Sequence, residues 1–234
     1  MIVRSRIHMD IKTTRVYLVR HGATNMTAED RFSGAVGVEL SDEGRQQAAR
    51  LGERVQDDGI AAVYTSPLSR SADTARIIAG ECGLRPILRE ELREISHGPW
   101  EGLTRREVEE RFPEEYVAWE ADPFTYAPPG AESGVAVLAR ALPAIREIVT
   151  AHEGNTVLVV SHKATIRLVL CSLLGIDARG YRDRLDQSPA CLNVLDFRGP
   201  VHVRLMLFND ISHYVDRPRA SRGHLSKWWE DTAR

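Results

Sequence analysis

The chain has 234 residues, with 31 Lys+Arg against 33 Asp+Glu, a formal net charge of −2. Hydrophobic residues at 43% and charged residues at 27% make an ordinary globular balance. That balance excludes collagen-like, largely disordered and coiled-coil readings for the bulk of the chain. The near-neutral charge argues against a dedicated duplex-binding surface, so no nucleic-acid partner is expected and only a local basic pocket stays open.

Cys82, Cys171 and Cys191 are the three cysteines, and none stands in a CxxC pair. An odd, sparse set is a poor disulfide framework and reads as small buried hydrophobes. No run approaches the ~18 apolar residues of a membrane span, and the first residues lack the apolar core of a signal peptide. The expectation is a cytoplasmic protein with no membrane partner. Residues 1–14 read as a flexible extension, with Met9 as a second candidate start. Residues 15–210 read as a single domain and residues 211–234 as a tail.

Taken in chain order, Arg15 to Val19 is a short apolar, β-branched run that predicts a strand. Ser41 to Leu51 predicts a helix, with Ser41 as N-cap and Asp42 and Glu43 at its positive end. Ile60 to Thr65 is a second buried-type strand. Residues 69–82 read as a helix with Ala72, Ala75, Ile78 and Ala79 on one face. From His97 to Gly130 the chain turns aromatic and Pro-rich. Two short helices fit there: 104–111, where Thr104 and Glu107 form a capping box, and 113–121, with Pro113 in its first turn. Such an insertion between regular elements reads as a lid.

Val135, Leu138, Leu142, Ile145 and Val149 then follow the spacing of a core-facing helix, and Pro143 inside it should kink or break it. Asn155 to Val160 is the strongest strand, a continuous buried run. Ala164 to Leu174 is the helix after it, stopped by Gly175. Leu192 to Phe197 and Val201 to Leu207 suggest a hairpin, and the residues after Asp210 look polar and unpatterned. This order predicts an α/β protein with a mainly parallel sheet in a three-layer α/β/α sandwich, carrying a small helical lid at residues 97–130.

In such sheets ligands bind beyond the carboxyl ends of the strands. Just past three predicted strands stand Arg20-His21-Gly22, then Ser66 to Arg70, then Ser161-His162-Lys163. Arg20, Arg70 and Lys163 are cations, and His21 and His162 are imidazoles. Several protonatable groups at one sheet end repel each other, and a dianion offsets that repulsion. Phosphate also fits arginine forks bidentately. Glu94, just before the lid, supplies a carboxyl that can act as an acid.

Arg20-His21-Gly22, Ser66-Pro67-Leu68-x-Arg70, Glu94 followed by Gly98-x-Trp100-Glu101-Gly102, and Ser161-His162 together resemble the histidine phosphatase superfamily, also called phosphoglycerate-mutase-like. The similarity runs from about residue 15 to 210, and four motifs in order, each at a strand end, are specific. The resemblance implies that His21 is a nucleophile that forms a phosphohistidine. Arg20, Arg70 and His162 would hold the phosphoryl oxygens, and Glu94 would act as proton donor and acceptor. It also implies no cofactor and no metal, because cationic side chains take the electrostatic role.

Some positions depart from the family pattern. The Asn usual six residues after the histidine is Thr27 here, while Asn25 stands two earlier; either could bond the phosphate. Arg31-Phe32-Ser33-Gly34 matches the usual Arg-x-x-Gly segment, so Arg31, Ser33 and Gly34 are expected at the rim. Lys163 and Ala164 replace two small glycine-like residues, and Lys163 could reach a second anionic group. His97 stands where mutases usually carry a tyrosine. His8, His152, His202, His213 and His224 read as surface or structural residues. Three functions follow: a phosphatase of the phosphatase branch acting on a small phosphorylated metabolite, a phosphoglycerate mutase, or a silent phospho-ligand binding module. The phosphatase leads, because a short lid admits water. A homodimer stays open.

Overall fold

The computed structural model describes residues 12–26 and 31–215. Six strands form one sheet: β1 (Thr13–Arg20), β2 (Ile60–Thr65), β3 (Pro86–Leu88), β4 (Thr156–Ser161), β5 (Leu192–Arg198) and β6 (His202–Asp210). Their order across the sheet is β3-β2-β4-β1-β5-β6. The first four strands in that order run parallel, and β5 and β6 join antiparallel at the β1 side. The helices are α1 (Asp42–Val55), α2 (Ser69–Glu81), α3 (Arg105–Arg111), α4 (Pro113–Ala121), α5 (Gly134–Ala151), α6 (Lys163–Leu174) and α7 (Tyr181–Arg184).

Strand alternation divides the core in two. Val16 and Leu18 of β1 and Val157 and Val159 of β4 face α5 and α6, meeting Ala141, Ile145, Ile166 and Leu170. Tyr17, Val19, Leu158 and Val160 face the other way, onto Leu51 and Val55 of α1 and Ala75 and Ile78 of α2. Helices therefore cover both faces, giving the three expected layers. Each such fully buried aliphatic side chain contributes roughly 1.5–3 kcal/mol. No helix among the described residues is long and apolar enough to cross a membrane.

Local chemistry sets the ends of these elements. Ser41 caps α1 by accepting the Gly44 N–H at 3.1 Å, with Asp42 and Glu43 in the first turn. Thr104 and Glu107 form the capping box of α3. Gly175, at φ +69°, stops α6. The insertion has its own apolar centre, in which Trp100, Val108, Tyr116 and Trp119 pack on Phe32.

Several expectations change. Thr13 and Thr14, read as part of a flexible extension, are strand; residues 1–11 lie outside the described residues. Pro143 does not break its helix, since α5 runs through it as one element with the proline ring on the exposed side. Val135 is 44% exposed rather than core. Ile145 and Val149 are buried as expected and Leu138 and Leu142 are half-buried, while Val137, Ala141, Ala144 and Ile148 complete the inner stripe of α5. Ala72 is half-buried, while Arg70, Ser71 and Thr74 join Ala75, Ile78 and Ala79 on the inner face of α2. The start of the expected tail packs back on the domain. Ile211 is buried, and Tyr214 donates its hydroxyl to the Pro189 carbonyl at 2.6 Å. The three-residue strand β3 and the single-turn helix α7 were not expected.

Candidate active site

The sheet register brings the expected motifs together. Arg20 ends β1 opposite Ser161 of β4, and Thr65 of β2 lies opposite Val160. His21, Ser66 and His162, one residue further on, thus share one edge. His21 N–H bonds the Ser161 carbonyl at 3.0 Å and Ser66 N–H bonds that of Val160 at 3.2 Å. The two imidazole rings lie with centroids 5.2 Å apart. Gly22 follows His21 for a steric reason. A Cβ there would meet the Gly44 carbonyl oxygen at 2.4 Å, and one on Gly44 would meet Ala23 O at 2.1 Å. This close approach seats the N-terminus of α1 against the turn after His21.

The partners of His21 fix its tautomer. Nδ1 lies 2.7 Å from the Gly22 carbonyl, which can only accept, so Nδ1 carries the proton. Nε2 takes the Nε–H of Arg70 at 3.3 Å, so it holds a lone pair. Burial, then the charges of Arg70 and Arg20, push the His21 pKa well below 6.5. The ring is neutral, and the lone pair of Nε2 faces Arg70.

Arg70 sits in the first turn of α2, where a cation suits the helix dipole poorly. Its other nitrogens are held by carbonyls, Nη2 by Gly34 at 2.7 Å and Nη1 by Val36 at 2.8 Å. Gly34 takes φ +39° to present that carbonyl, and a Cβ there would strike the Glu101 carboxylate. Arg20 donates Nη1 to the Gln187 carbonyl at 2.6 Å, while its buried Nε has no partner. His162 places Nε2 2.8 Å from the Ser66 hydroxyl and leaves a buried Nδ1 unpartnered. Burial, with Arg70, His21 and Arg20 nearby, drives its pKa well below 6.5. Buried donors and acceptors left unmatched are costly, so Arg20 Nε and His162 Nδ1 ask for a polar ligand.

Glu94 is buried at the N-terminus of α6. Its Oε2 accepts the Ala164 N–H at 3.2 Å, and its Oε1 accepts the N–H groups of Ile95 at 3.0 Å and Thr165 at 3.2 Å. The Thr165 hydroxyl lies 3.1 Å from Oε1 and 2.7 Å from the Arg93 carbonyl. Arg140 of α5 clamps the backbone beside it, donating to the carbonyls of Glu91, Arg93 and Glu94. The N–H groups of Ala164 and Thr165, two and three residues after His162, hold Glu94 at the same end of the sheet.

The expected substrate-binding set is divided. Asn25 is exposed, and Thr27 lies outside the described residues. Arg31 turns to the insertion, donating to the Gly102 carbonyl at 2.8 Å and Glu107 at 3.2 Å. Ser33 is half-buried, and its carbonyl accepts the Val36 N–H at 3.1 Å. Gly34 belongs to the site through its carbonyl on Arg70. His97 is half-buried and packs its ring edge-on to Phe32 at 4.8 Å and Trp119 at 6.2 Å. Its pKa is lowered by burial, so it is a neutral group in an aromatic wall. Lys163 opens α6 with Nζ 3.8 Å from Asp186 Oδ1, a carboxylate it shares with Arg167 at 3.1 Å. The roles of Ser66, Thr165 and Glu101 were not foreseen. Glu101 Oε1 accepts the N–H groups of Ala35 and His97, each at 3.0 Å, and the Ser96 hydroxyl at 3.1 Å, tying the insertion to the loop that holds Arg70.

Among the described residues no group of three or more His, Cys, Asp or Glu side chains forms a metal site. A neutral histidine thus stands among arginines at the carboxyl end of a mainly parallel sheet, with a buried glutamate held at the same end. The sequence model of the histidine phosphatase superfamily (branch 1) matches residues 16–210, and the chain belongs to that family. It is 40% identical over 197 residues to a bifunctional protein of Mycobacterium tuberculosis, covering 82% of this chain and 53% of that one. The chain thus spans about half the length of that relative. It is 34% identical over 163 residues to phosphoserine phosphatase 1 of Hydrogenobacter thermophilus, covering 70% of this chain and 77% of the relative. Among solved structures, the Bacillus stearothermophilus YhfR protein superposes with a TM-score of 0.80 at 32% identity, covering 86% of this chain and 98% of that one. A mycobacterial glucosyl-3-phosphoglycerate phosphatase complexed with VO3 gives a TM-score of 0.75 at 29% identity, covering 83% and 98%.

Proposed function

We propose that this protein is a metal-independent phosphatase that hydrolyses a small phosphate monoester through a phosphohistidine at His21. The observation that carries the reading is the fixed His21 tautomer: Nδ1–H on the Gly22 carbonyl, with the lone pair of Nε2 facing Arg70. Nε2 attacks phosphorus and the ester P–O bond breaks as the N–P bond forms. Arg20 Nε, Arg70 and His162 Nδ1 stabilise the charge on the phosphoryl oxygens. For His162 to donate there, Nδ1 must carry the proton, so the Ser66 hydroxyl donates to Nε2. Glu94 protonates the departing alkoxide, and its carboxylate then takes a proton from the water that attacks phosphorus. Inorganic phosphate and neutral His21 result. Three backbone N–H groups hold the Glu94 carboxyl in place, and the Thr165 hydroxyl lies 3.1 Å from its Oε1.

A substrate with a second anionic group is the class favoured here. The names of two relatives specify phosphoserine and glucosyl-3-phosphoglycerate, both of which carry a carboxylate beside the phosphate. Lys163, next to His162 and 30% exposed on its side chain, supports such a contact. The short insertion favours hydrolysis over mutase chemistry, which must shield the phosphohistidine from water. A silent binding module would need neither nucleophile nor acid. The test is rapid-quench trapping with a radiolabelled phosphate monoester. Acid-labile label should appear on the wild type and vanish in His21→Ala, together with turnover. A fully active His21→Ala would overturn the assignment.

A further inference from the structure

The turn between α7 and β5 supplies no reacting group, yet it holds two of them. The Gln187 carbonyl accepts Arg20 Nη1 at 2.6 Å, the Ala190 N–H donates to the His21 carbonyl at 3.0 Å, and the Cys191 carbonyl accepts the Arg20 N–H at 3.4 Å. Behind that turn lies a pair of carboxamides with no exposure at all, Gln187 and Asn193. They bond each other twice: Gln187 Nε2 to Asn193 Oδ1 at 3.0 Å, and Asn193 Nδ2 to Gln187 Oε1 at 2.8 Å.

The backbone fixes which way each amide points. Asn193 Nδ2 also donates to the Leu18 carbonyl at 2.9 Å, which can only accept. Asn193 Oδ1 also accepts the Asn209 N–H at 2.9 Å, which can only donate. All four bonds that an asparagine amide can make are therefore made. Asn193 sits in β5 where its register with β6 shifts, between Leu192 and Val194, the kind of irregularity that re-aims a side chain beside a site. An apolar residue would be the simpler occupant of so dry a place. A buried amide with every bond satisfied rigidifies its surroundings instead.

We infer that Asn193, acting through Gln187, is a positioning residue that locks the guanidinium of Arg20 so that its Nε faces the transferred phosphoryl group. The inference rests on the proposed role of Arg20. Through Leu18 the same amide grips β1 two residues before that arginine, so both the strand and the acceptor carbonyl are tied to one side chain.

A double-mutant cycle on the full chain, read as kcat/KM for p-nitrophenyl phosphate and Ki for inorganic phosphate, tests it. Arg20→Ala alone should lower kcat/KM by about 10²-fold. Asn193→Leu should lower kcat/KM by about 10-fold or more and weaken phosphate inhibition. In the Arg20→Ala background Asn193→Leu should change neither quantity by more than about two-fold. Gln187→Met keeps the backbone carbonyl and serves as the second variant if Asn193→Leu does not fold; the same pattern is expected. An equal loss in both backgrounds, or no loss from a folded Gln187→Met, overturns the inference while leaving the role of Arg20 intact. A wild-type-like Arg20→Ala would remove both.

Discussion

Arg70 aims Nε at the Nε2 of His21 across 3.3 Å, while carbonyls of Gly34 and Val36 hold both of its terminal nitrogens. The guanidinium cannot swing away, so a fixed positive charge always faces the lone pair. Such a neighbour opposes protonation of the ring, and burial opposes it further.

This sets the acid limb of the rate profile. The proposed nucleophile is neutral His21, and its pKa lies well below 6.5. Activity lost to His21 protonation should therefore set in well below that value as pH falls. In Arg70→Gln, one of the two depressing charges is gone, so that limb should move to higher pH. The measurement is kcat/KM against pH for both proteins. An acid limb that stays in place would count against the pairing. Stability follows the same sign. Unfolded His21 and His162 take up protons below about pH 6.5 while the folded rings do not, so each lowers stability by about 1.4 kcal/mol per pH unit as pH drops through that window.

Glu94→Gln should retain phosphate binding and lose rate selectively. An alkyl alkoxide needs a proton as it leaves, whereas p-nitrophenolate leaves with little help. The loss should be roughly 10²–10⁴-fold for alkyl phosphates and much smaller for p-nitrophenyl phosphate. Equal losses for the two substrates would remove Glu94 from the acid role.

Ser66→Ala frees His162 Nε2 from its 2.8 Å partner and lets the ring choose its own tautomer. Nδ1 then carries the proton for only part of the time. The expected result is a drop in kcat of up to about 10²-fold with a smaller change in KM. Ser66→Thr, which keeps a hydroxyl, should restore most of it. A Ser66→Ala enzyme with wild-type kcat would mean that His162 needs no such partner.

Lys163→Ala should raise KM about 10-fold for a monoester bearing a carboxylate or second phosphate, the cost of one charged hydrogen bond. KM for p-nitrophenyl phosphate should stay put. Equal rises for both would assign Lys163 to the phosphoryl group itself. No rise for either would give it a structural role, with Asp186 at 3.8 Å among its partners.

The centre of the candidate site was legible in the sequence because two of its groups, His21 and His162, stand one step beyond strands whose apolar runs are unmistakable. His21 follows β1 and His162 follows β4, and the parallel pairing of these strands makes them neighbours. What orients these groups was not legible. The grip of Ser66 on His162 depends on where two side chains point, and the bond from Gln187 to Arg20 uses a backbone carbonyl, which has no signature in sequence. Asn193 in a strand looks like an outward-facing polar residue until β6 and the turn close over it. The misplaced stripe of α5 has a simpler cause. Val135 and Leu138 satisfy the helical period as well as Val137 and Ala141 do, and periodicity alone does not select between two faces that share Ile145 and Val149.

The strand order carries a consequence for assembly. β1 and β2 are close in the chain but are not neighbours in the sheet, because β4 lies between them. A nascent β1-α1-β2-α2 segment therefore leaves an open slot, with His21 on one bank and Ser66 and Arg70 on the other. The slot closes when β4 threads in, more than ninety residues after β2, and brings His162 with it. Loop closure of that span is slow compared with local helix formation. Completion of the candidate site is thus expected late in folding, and recovery of the proposed turnover during refolding should report insertion of the central strand rather than the return of helix.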